Sequence, residues 1–194
     1  PATSANLGPG FDSFGLAVQL YDDVVVRVAE SGLSVDVAGE GADDVRRDKR
    51  NLVVRAVTTT FDVLGGQPRG LEVVCANRIP HGRGLGSSAA AIVAGVLAAR
   101  ELVVGGIEKL PDDAVLRLAS RLEGHPDNVA ACLLGGFTLA WTDDDAAGTV
   151  SHAIGLQVHP DVVPVIFVPD AKSSTAKARK LLPDQVPHGD ATAK

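Results

Sequence analysis

The stretch that decides the fold reads Pro80-His81-Gly82-Arg83-Gly84-Leu85-Gly86-Ser87-Ser88-Ala89. Three glycines alternate through it, before two hydroxyl side chains and an alanine-rich segment that continues through Ala90. Glycine lets a backbone adopt conformations closed to other residues, so that its N–H groups can approach an anion closely. The same pattern predicts a helix with Ser87 as its N-cap, whose positive end faces the loop. The stretch therefore predicts a phosphate-binding loop at a helix N-terminus.

The spacing of the glycines excludes three well-known motifs. The Walker motif requires a Lys after its glycines, and the dinucleotide motif requires G-x-G-x-x-G, whereas this chain has G-x-G-x-G without the Lys. The H-R-D and D-F-G motifs of protein kinases are also absent from the sequence. From the residues alone, a tight-turn loop that precedes a core helix remains the alternative to a phosphate site.

The composition is that of an ordinary globular protein. Of the 194 residues, 45% are hydrophobic and 22% are charged, which is enough for a sizeable core. The net charge of -6 argues against a nucleic-acid or anionic-membrane partner. Cys75 and Cys132 match no metal-ligand or redox spacing, and we expect both in the core. The longest apolar run, 89–99, is too short to span a bilayer, and a reducing cytoplasmic location is expected.

The hydrophobic pattern predicts an α+β fold with helices packed on a sheet. Alternating residues predict strands over 18–29 and 33–38, joined as a hairpin at Ser31-Gly32. Helices are predicted over 51–64, 87–104, 111–122 and 127–134, and further strands over 71–76, 137–142, 149–158 and 163–168. The acidic run 143–145 is predicted to be a solvated turn rather than a metal site, since nothing nearby fixes a coordination geometry.

Four segments of the chain resemble motifs of one kinase superfamily. Residues 80–89 closely resemble the ATP-binding motif of the GHMP kinases, which include galactokinase, homoserine kinase and mevalonate kinase. Residues 1–12 (PATSANLGPGFD) and 123–128 (EGHPDN) are similar to the N-terminal motif and the substrate-side loop of the homoserine kinases. Residues 173–179 (SSTAKAR) resemble a fourth segment of that family. Four segments in family order identify the chain as a member of it.

The resemblance implies the GHMP kinase fold, in which an N-terminal domain like domain 2 of ribosomal protein S5 precedes a ferredoxin-like C-terminal domain. The N-terminal ATP-binding domain is expected over 1–160, and the beginning of a truncated C-terminal domain over 161–194. The boundary is expected near the strand predicted over 163–168. The resemblance also implies a fragment, lacking the extreme N-terminus and much of the C-terminal domain.

The expected cofactors are ATP and Mg²⁺. The resemblance places ATP on the loop from Pro80 to Ala90, with Asn51 and Thr175 near the nucleotide. A hydroxyl and a carboxylate are typical hard oxygen ligands for a divalent cation, and the resemblance gives those roles to Ser88 and Glu123. Together these groups meet the needs of phosphoryl transfer, which depends on positioned phosphates and charge neutralisation.

The resemblance implies L-homoserine as the substrate, whose ammonium needs an anion and whose carboxylate needs a cation. Asp12 is suited to the ammonium, with Asn6 orienting the same end, and Arg179 is suited to clamp the carboxylate. The resemblance adds His125 and Asp127 to this pocket. Without the family, Asn6 and Asp12 read as turn residues and Arg179 reads as a surface helix charge.

The expected mechanism depends on the residue type at position 128, which is Asn128. Several GHMP kinases place a basic Asp near the acceptor hydroxyl, whereas the homoserine kinases resemble one another in having Asn there. An amide cannot take a proton, so the expected mechanism has no side-chain base, and the proton leaves through the γ-phosphate. Asn128, Arg179 and His125 are the expected catalytic residues, acting by alignment and charge stabilisation.

The expected activity is therefore phosphorylation of L-homoserine by ATP to O-phospho-L-homoserine, in threonine biosynthesis. The family implies a homodimer. Two alternatives remain: another GHMP kinase that acts on a small alcohol, or a non-catalytic remnant that binds nucleotide without turnover. The Asn6/Asp12 and His125/Asp127/Asn128 signatures argue against the first alternative.

Overall fold

The computed structural model describes residues 1–145, 148–170 and 185–188. The strands described are β1 (Ala2–Ala5), β2 (Phe14–Val18), β3 (Asp23–Ala29), β4 (Gly32–Gly39), β5 (Gly70–Asn77), β6 (Phe137–Asp145) and β7 (Gly148–Leu156). The helices described are α1 (Leu52–Leu64), α2 (Ser87–Leu102), α3 (Gly106–Lys109), α4 (Asp112–Glu123) and α5 (Asp127–Leu134), besides a 3₁₀ turn at Gly8–Gly10. The predicted mixture of helices on β-structure is confirmed.

The strands form two separate sheets. One is antiparallel, with the order β1-β2-β6-β7, and the other has the order β3-β5-β4. Strand β5 is antiparallel to β3 and parallel to β4. The parallel pair requires a crossover connection, which α1 provides between β4 and β5.

The predicted hairpin between the strands at 18–29 and 33–38 is wrong. Strands β3 and β4 follow one another at Ser31-Gly32, but β5 lies between them and pairs with both. Strand β5 is the most buried of the three, with Val73 fully inaccessible, so it takes the central position. Alternating residues reveal strands but not their partners, because pairing depends on contacts distant in sequence. Residues 19–22, predicted as strand, lie outside β2 and β3.

Two further strand-level predictions are corrected at the C-terminal side. The acidic run 143–145 is the end of β6, paired with β7, and not a turn. Residues 163–168 form no strand and their apolar side chains are exposed. A strand needs a neighbour to accept its backbone hydrogen bonds, and none of the described strands pairs with this segment.

Helix α2 lies between two hydrophobic clusters and contributes to both. The larger cluster combines α2 with α4 and α5, and the smaller one lies between α1 and the sheet β3-β5-β4. Gly95 allows the close approach of α1 and α2, because a Cβ there would lie 2.7 Å from the Cβ of Ala56. This packing fixes the N-terminus of α2, which follows the glycine loop directly. In the described part of the chain, no helix combines the length and apolar character that a membrane crossing needs.

Candidate functional site

The glycine loop connects β5 to α2, as the sequence predicts. Gly82, Gly84 and Gly86 have φ angles of +68°, +75° and +63°, which lie in the left-handed region. Residues with a Cβ rarely adopt that region, so the alternation of glycines is a backbone requirement of this loop. The loop ends at the N-terminus of α2, where the backbone N–H groups of the first turn have no partner within the helix.

Ser87 is not the N-cap of α2, contrary to the prediction. Gly86 occupies the cap position, Ser87 is the first helical residue, and no described side chain caps this helix. The physical reason is the left-handed backbone at Gly86, because a capping side chain needs an extended backbone at the cap residue. The helix N-terminus therefore presents N–H groups and the positive end of its dipole, which favours an anion.

Both ends of the glycine loop are anchored to neighbouring segments. On the entry side, the Asp22 carboxylate accepts hydrogen bonds from the backbone N–H groups of Arg78 and Ile79, at 2.6 and 2.8 Å. On the exit side, the Thr3 backbone N–H donates to the Leu85 carbonyl at 3.0 Å. These contacts fix both ends of the loop through the protein's own groups, as a preorganised binding site requires.

Two cavities meet at the N-terminus of α2. The first has a volume of 230 Å³ and is lined by apolar groups such as Val37 and Val53, and by polar ones that include Arg46, Arg50 and Asn51. The second has a volume of 300 Å³ and is lined by the loop and by polar side chains. Ser87 and Ser88 line both cavities. A ligand that fills both would thus lie across the positive end of α2.

The second cavity brings together residues from three of the quoted motifs. The residues that line it are Ala5, Asn6, Gly82, Gly84, Leu85, Gly86, Ser87, Ser88, Glu123, His125 and Asn128. Asn6 comes from the first motif, the glycines come from the second, and the last three side chains come from the motif 123–128, which includes the end of α4 and the start of α5. Segments more than 100 residues apart in sequence therefore form one polar pocket.

Several predicted residues lie near this pocket without lining it. The Asp12 backbone N–H donates to the Asn6 side-chain oxygen at 3.4 Å, and both residues have left-handed backbones. Asn51 caps α1, accepting from the N–H groups of Val53 and Val54, and lines the first cavity. Ala89 and Ala90 are buried on the inner side of α2. His81 lines the first cavity, whereas Pro80 and Arg83 line neither of the two.

Ser88 and Glu123 form a direct pair in the second cavity. The Ser88 hydroxyl donates to Oε1 of Glu123 at 2.5 Å. Burial raises the pKa of the Glu123 carboxyl, and the Ser88 hydrogen bond and the nearby His125 oppose that rise. No cluster of three or more His, Cys, Asp or Glu side chains suited to a metal is found among residues 1–145, 148–170 and 185–188. Any cation bound here would need further oxygen atoms from a ligand or water.

His125, Asp127 and Asn128 form a connected group at the start of α5. Asp127 is fully buried, and its Oδ1 accepts a hydrogen bond from the Asn128 backbone N–H at 2.7 Å. The same oxygen contacts Nδ1 of His125. With Asp127 ionised, this contact corresponds to the tautomer in which Nδ1–H of His125 donates, because an ionised carboxylate only accepts. Asp127 therefore lies behind His125 and orients its ring, while His125 itself lines the pocket.

Thr3 contacts the same group and received no role from the sequence. Its side chain is fully buried, and its hydroxyl donates to Oδ1 of Asn128 at 2.7 Å. Thr3 lies inside the first quoted motif, but nothing in that motif indicates a partner 125 residues away. Only the fold brings these two side chains together.

Two predicted site residues are not placed by the structure. Thr175 and Arg179 lie outside the described residues, as does the whole segment 173–179. Their predicted roles beside the nucleotide and the substrate carboxylate stay predictions.

Comparisons with known proteins agree with this architecture. Residues 51–136 match the family model described as the GHMP kinases N terminal domain. The chain is 63% identical over 193 residues to the homoserine kinase of Streptomyces coelicolor, covering 100% of this chain and 61% of that protein. It is 50% identical over 191 residues to the homoserine kinase of Mycobacterium tuberculosis, covering 98% of this chain and 60% of that protein.

Solved structures give the same result. The crystal structure of homoserine kinase from Cytophaga hutchinsonii superposes with a TM-score of 0.79 at 32% identity, covering 100% of this chain and 61% of that one. The mevalonate kinase of Methanococcus jannaschii shares the fold, with a TM-score of 0.57 at 17% identity over 72% of this chain and 51% of that one. The chain thus spans about three fifths of the length of the curated relatives that it matches.

Proposed function

We propose that the chain belongs to the GHMP kinases, because residues 51–136 match the model of their N-terminal domain, and that the intact protein is a homoserine kinase. In the proposed reaction, ATP transfers its γ-phosphoryl group to the side-chain hydroxyl of L-homoserine, giving ADP and O-phospho-L-homoserine. This reaction would serve threonine biosynthesis. The observation that carries the proposal is the meeting of two cavities at one uncapped helix N-terminus.

We place the nucleotide across both cavities. The first cavity has apolar groups of the kind that a planar base packs against, and Asn51, which caps α1, lies in its wall. The phosphates would then lie over the first turn of α2, where free N–H groups and the helix dipole stabilise negative charge. The γ-phosphoryl group would reach the second cavity through the shared Ser87 and Ser88. Thr175 is proposed to complete the nucleotide site.

Mg²⁺ is proposed to bind at Ser88 and Glu123. Mg²⁺ is usually held by one or two carboxylates together with substrate phosphates, keeping several waters. The donor set here fits that pattern, because one hydroxyl and one carboxylate lie side by side at the edge of the phosphate path. The cation would neutralise charge on the phosphates, and it would favour the ionised form of Glu123 that burial disfavours.

Homoserine is proposed to bind in the second cavity. Asn6 and His125 line it, and Asp12 contacts Asn6 from the adjacent turn. We propose that Asp12 binds the ammonium group with help from Asn6, and that Arg179 clamps the carboxylate. His125, held in place by Asp127, is proposed to bind the amino-acid end of the substrate.

The proposed mechanism uses alignment rather than a side-chain base. Asn128 lines the acceptor cavity, and an amide has no useful proton affinity. The homoserine hydroxyl would attack the γ-phosphorus in line, and its proton would leave through a γ-phosphate oxygen. Orientation of two bound reactants supplies a large part of such a rate enhancement, and helix N–H groups stabilise the charge that develops.

A substrate panel tests this proposal against the two alternatives. Release of ADP by the intact protein would be measured with homoserine, serine, mevalonate and galactose. Homoserine should be preferred over serine by about a hundredfold, because serine is one methylene shorter and displacement of a reacting group by about 1 Å has that effect. Equal turnover of mevalonate and homoserine would instead favour another GHMP alcohol kinase. ATP binding without turnover of any acceptor would favour a non-catalytic protein.

The assembly and location of the intact protein are also proposed from the family. We propose a homodimer in the cytoplasm, with no nucleic-acid or membrane partner, as the acidic net charge suggests. Light scattering on the intact protein should give twice the mass of one chain. A monomeric mass at assay concentrations would contradict the dimer without affecting the proposed reaction.

A further inference from the structure

We infer that Thr3 is a positioning residue, whose hydroxyl fixes the Asn128 amide so that its NH₂ group, and not its carbonyl oxygen, faces the acceptor. The catalytic consequence rests on the proposed kinase function. The hydrogen-bonding arrangement itself does not depend on that function.

Two contacts select the same orientation of the Asn128 amide. The Thr3 hydroxyl lies 2.7 Å from Oδ1, and Nδ2 lies 3.5 Å from the carboxylate oxygen of Asp127. In the reversed orientation, the amide oxygen would face that carboxylate, and two acceptors repel one another. The carbonyl oxygen is therefore held by Thr3, and an amide N–H remains for the cavity that Asn128 lines.

Thr3 is itself fixed in the fold, so its hydroxyl cannot follow a rotation of the Asn128 amide. It is fully buried in β1, pairs with Ala17 of β2, and donates its backbone N–H to the Leu85 carbonyl. A single residue thus connects the phosphate loop to the side chain at the acceptor position. This connection fixes the position of the glycine loop relative to the Asn128 side chain.

The glycine loop is shaped around this pair. A Cβ at Gly86 would lie 2.0 Å from the Thr3 hydroxyl oxygen and 3.0 Å from Oδ1 of Asn128. Gly86 is therefore required both by its left-handed backbone and by the space that the Thr3 and Asn128 side chains occupy. The third glycine of the motif serves the acceptor site as well as the phosphates.

The orientation has a chemical consequence. An N–H group can donate to the acceptor hydroxyl oxygen or to a phosphate oxygen, whereas a carbonyl oxygen would repel the phosphate. Without the Thr3 hydroxyl, Oδ1 loses its donor, and the amide is then held by the long 3.5 Å contact of Nδ2 with Asp127, which is weak. Valine has nearly the shape of threonine but cannot donate, so it isolates the hydroxyl from the packing.

The first test compares three variants of the intact protein. Thr3→Val should lower kcat for homoserine about tenfold while the KM for ATP changes less than about twofold, since only positioning in the transition state is lost. Thr3→Ser keeps the hydroxyl and should retain kcat within about twofold. Thr60→Val is the matched control, because Thr60 is also fully buried and, among the described residues, its hydroxyl donates to the Ala56 carbonyl of its own helix. Wild-type kcat in Thr3→Val, or an equal loss in Thr60→Val, would overturn the inference.

The second test asks whether Thr3 acts through Asn128. In an Asn128→Ala background, Thr3→Val should cause no further loss of kcat, whereas independent effects would multiply. The same four proteins, the wild type, the two single variants and the double variant, are then unfolded in urea. The effect of Thr3→Val on the unfolding constant should be about three- to tenfold larger with Asn128 present than in Asn128→Ala. If the intact protein does not phosphorylate homoserine, the proposed function fails, and the unfolding cycle still decides the inference. Absence of coupling in that cycle would overturn it.

Discussion

Replacement of Gly86 by alanine isolates the contact on which the site geometry depends. The φ angle at Gly86 is +63°, and an added Cβ would lie 2.0 Å from the buried Thr3 hydroxyl oxygen. Gly84 offers a matched control in the same loop. Its φ angle is +75°, but an added Cβ there would meet no atom within 4 Å.

The expected loss of stability in each variant is the sum of two contributions, one from the backbone conformation and one from steric crowding. A Cβ in the left-handed region costs about 1–2 kcal/mol, and this term applies to both glycines. Crowding of a packed site costs a further ~1–3 kcal/mol, and only Gly86 incurs it, because Thr3 is held by backbone hydrogen bonds and cannot move aside freely. Gly86→Ala should therefore lower the free energy of unfolding by about 2–5 kcal/mol, and Gly84→Ala by about 1–2 kcal/mol. The entropic effect on the unfolded chain is common to both and cancels in the difference.

The assay is equilibrium unfolding in urea for the wild type and the two variants. The transition midpoint of Gly86→Ala should be clearly below that of Gly84→Ala at an unchanged slope. Titration with ATP should show weaker binding in both, since the altered backbone changes where the loop N–H groups point. Equal destabilisation by the two substitutions would refute the close packing of Gly86 on Thr3, and with it the argument that one contact connects the loop to Asn128.

Three further predictions concern single side chains. Glu123→Gln should stabilise the ligand-free protein at neutral pH and weaken magnesium-dependent ATP binding, because burial raises the pKa of this carboxyl above its ordinary value of 4.5. The wild type should lose stability relative to this variant as pH rises from 4.5 through the raised pKa, and a constant difference between their urea midpoints across that range would contradict the assignment. Asn51→Ala should lower the free energy of unfolding by about 1–2 kcal/mol, because the α1 cap and the Nδ2 hydrogen bond to the Arg46 carbonyl are both lost, and an unchanged urea midpoint would contradict this role. His125→Ala should weaken homoserine binding and leave the shape of the kcat pH profile unchanged; loss of an acidic limb with a fall of about 10²- to 10⁴-fold in kcat would make His125 the base.

Local features of the fold were predictable from the sequence. The glycine loop, the helix that follows it and the helix ending at Gly65 depend on residues within a few positions of one another. The cap residue of α2 is an exception: residue type favours Ser87 as the cap, but the left-handed backbone at the cap position favours Gly86. Propensity alone does not include that constraint.

Features that depend on distant contacts were not predictable. The central position of β5 and the pairing of β6 with β7 through Asp145 arise from strand partners chosen by burial. The family resemblance identifies Asn128 as a site residue. The residue that contacts and orients its amide is Thr3, which lies 125 residues away in the sequence. The strand predicted over 163–168 had the right composition but no described neighbour to pair with.

Direct identification of the product tests the central claim most directly. The intact protein would be incubated with ATP, Mg²⁺ and L-homoserine, and the phosphorus-containing products followed by ³¹P NMR and mass spectrometry. The account predicts one O-phospho-L-homoserine formed for each ADP, with no inorganic phosphate beyond a control lacking homoserine. ADP accompanied by inorganic phosphate, or the absence of a phosphate ester of homoserine while another alcohol is phosphorylated, would contradict it.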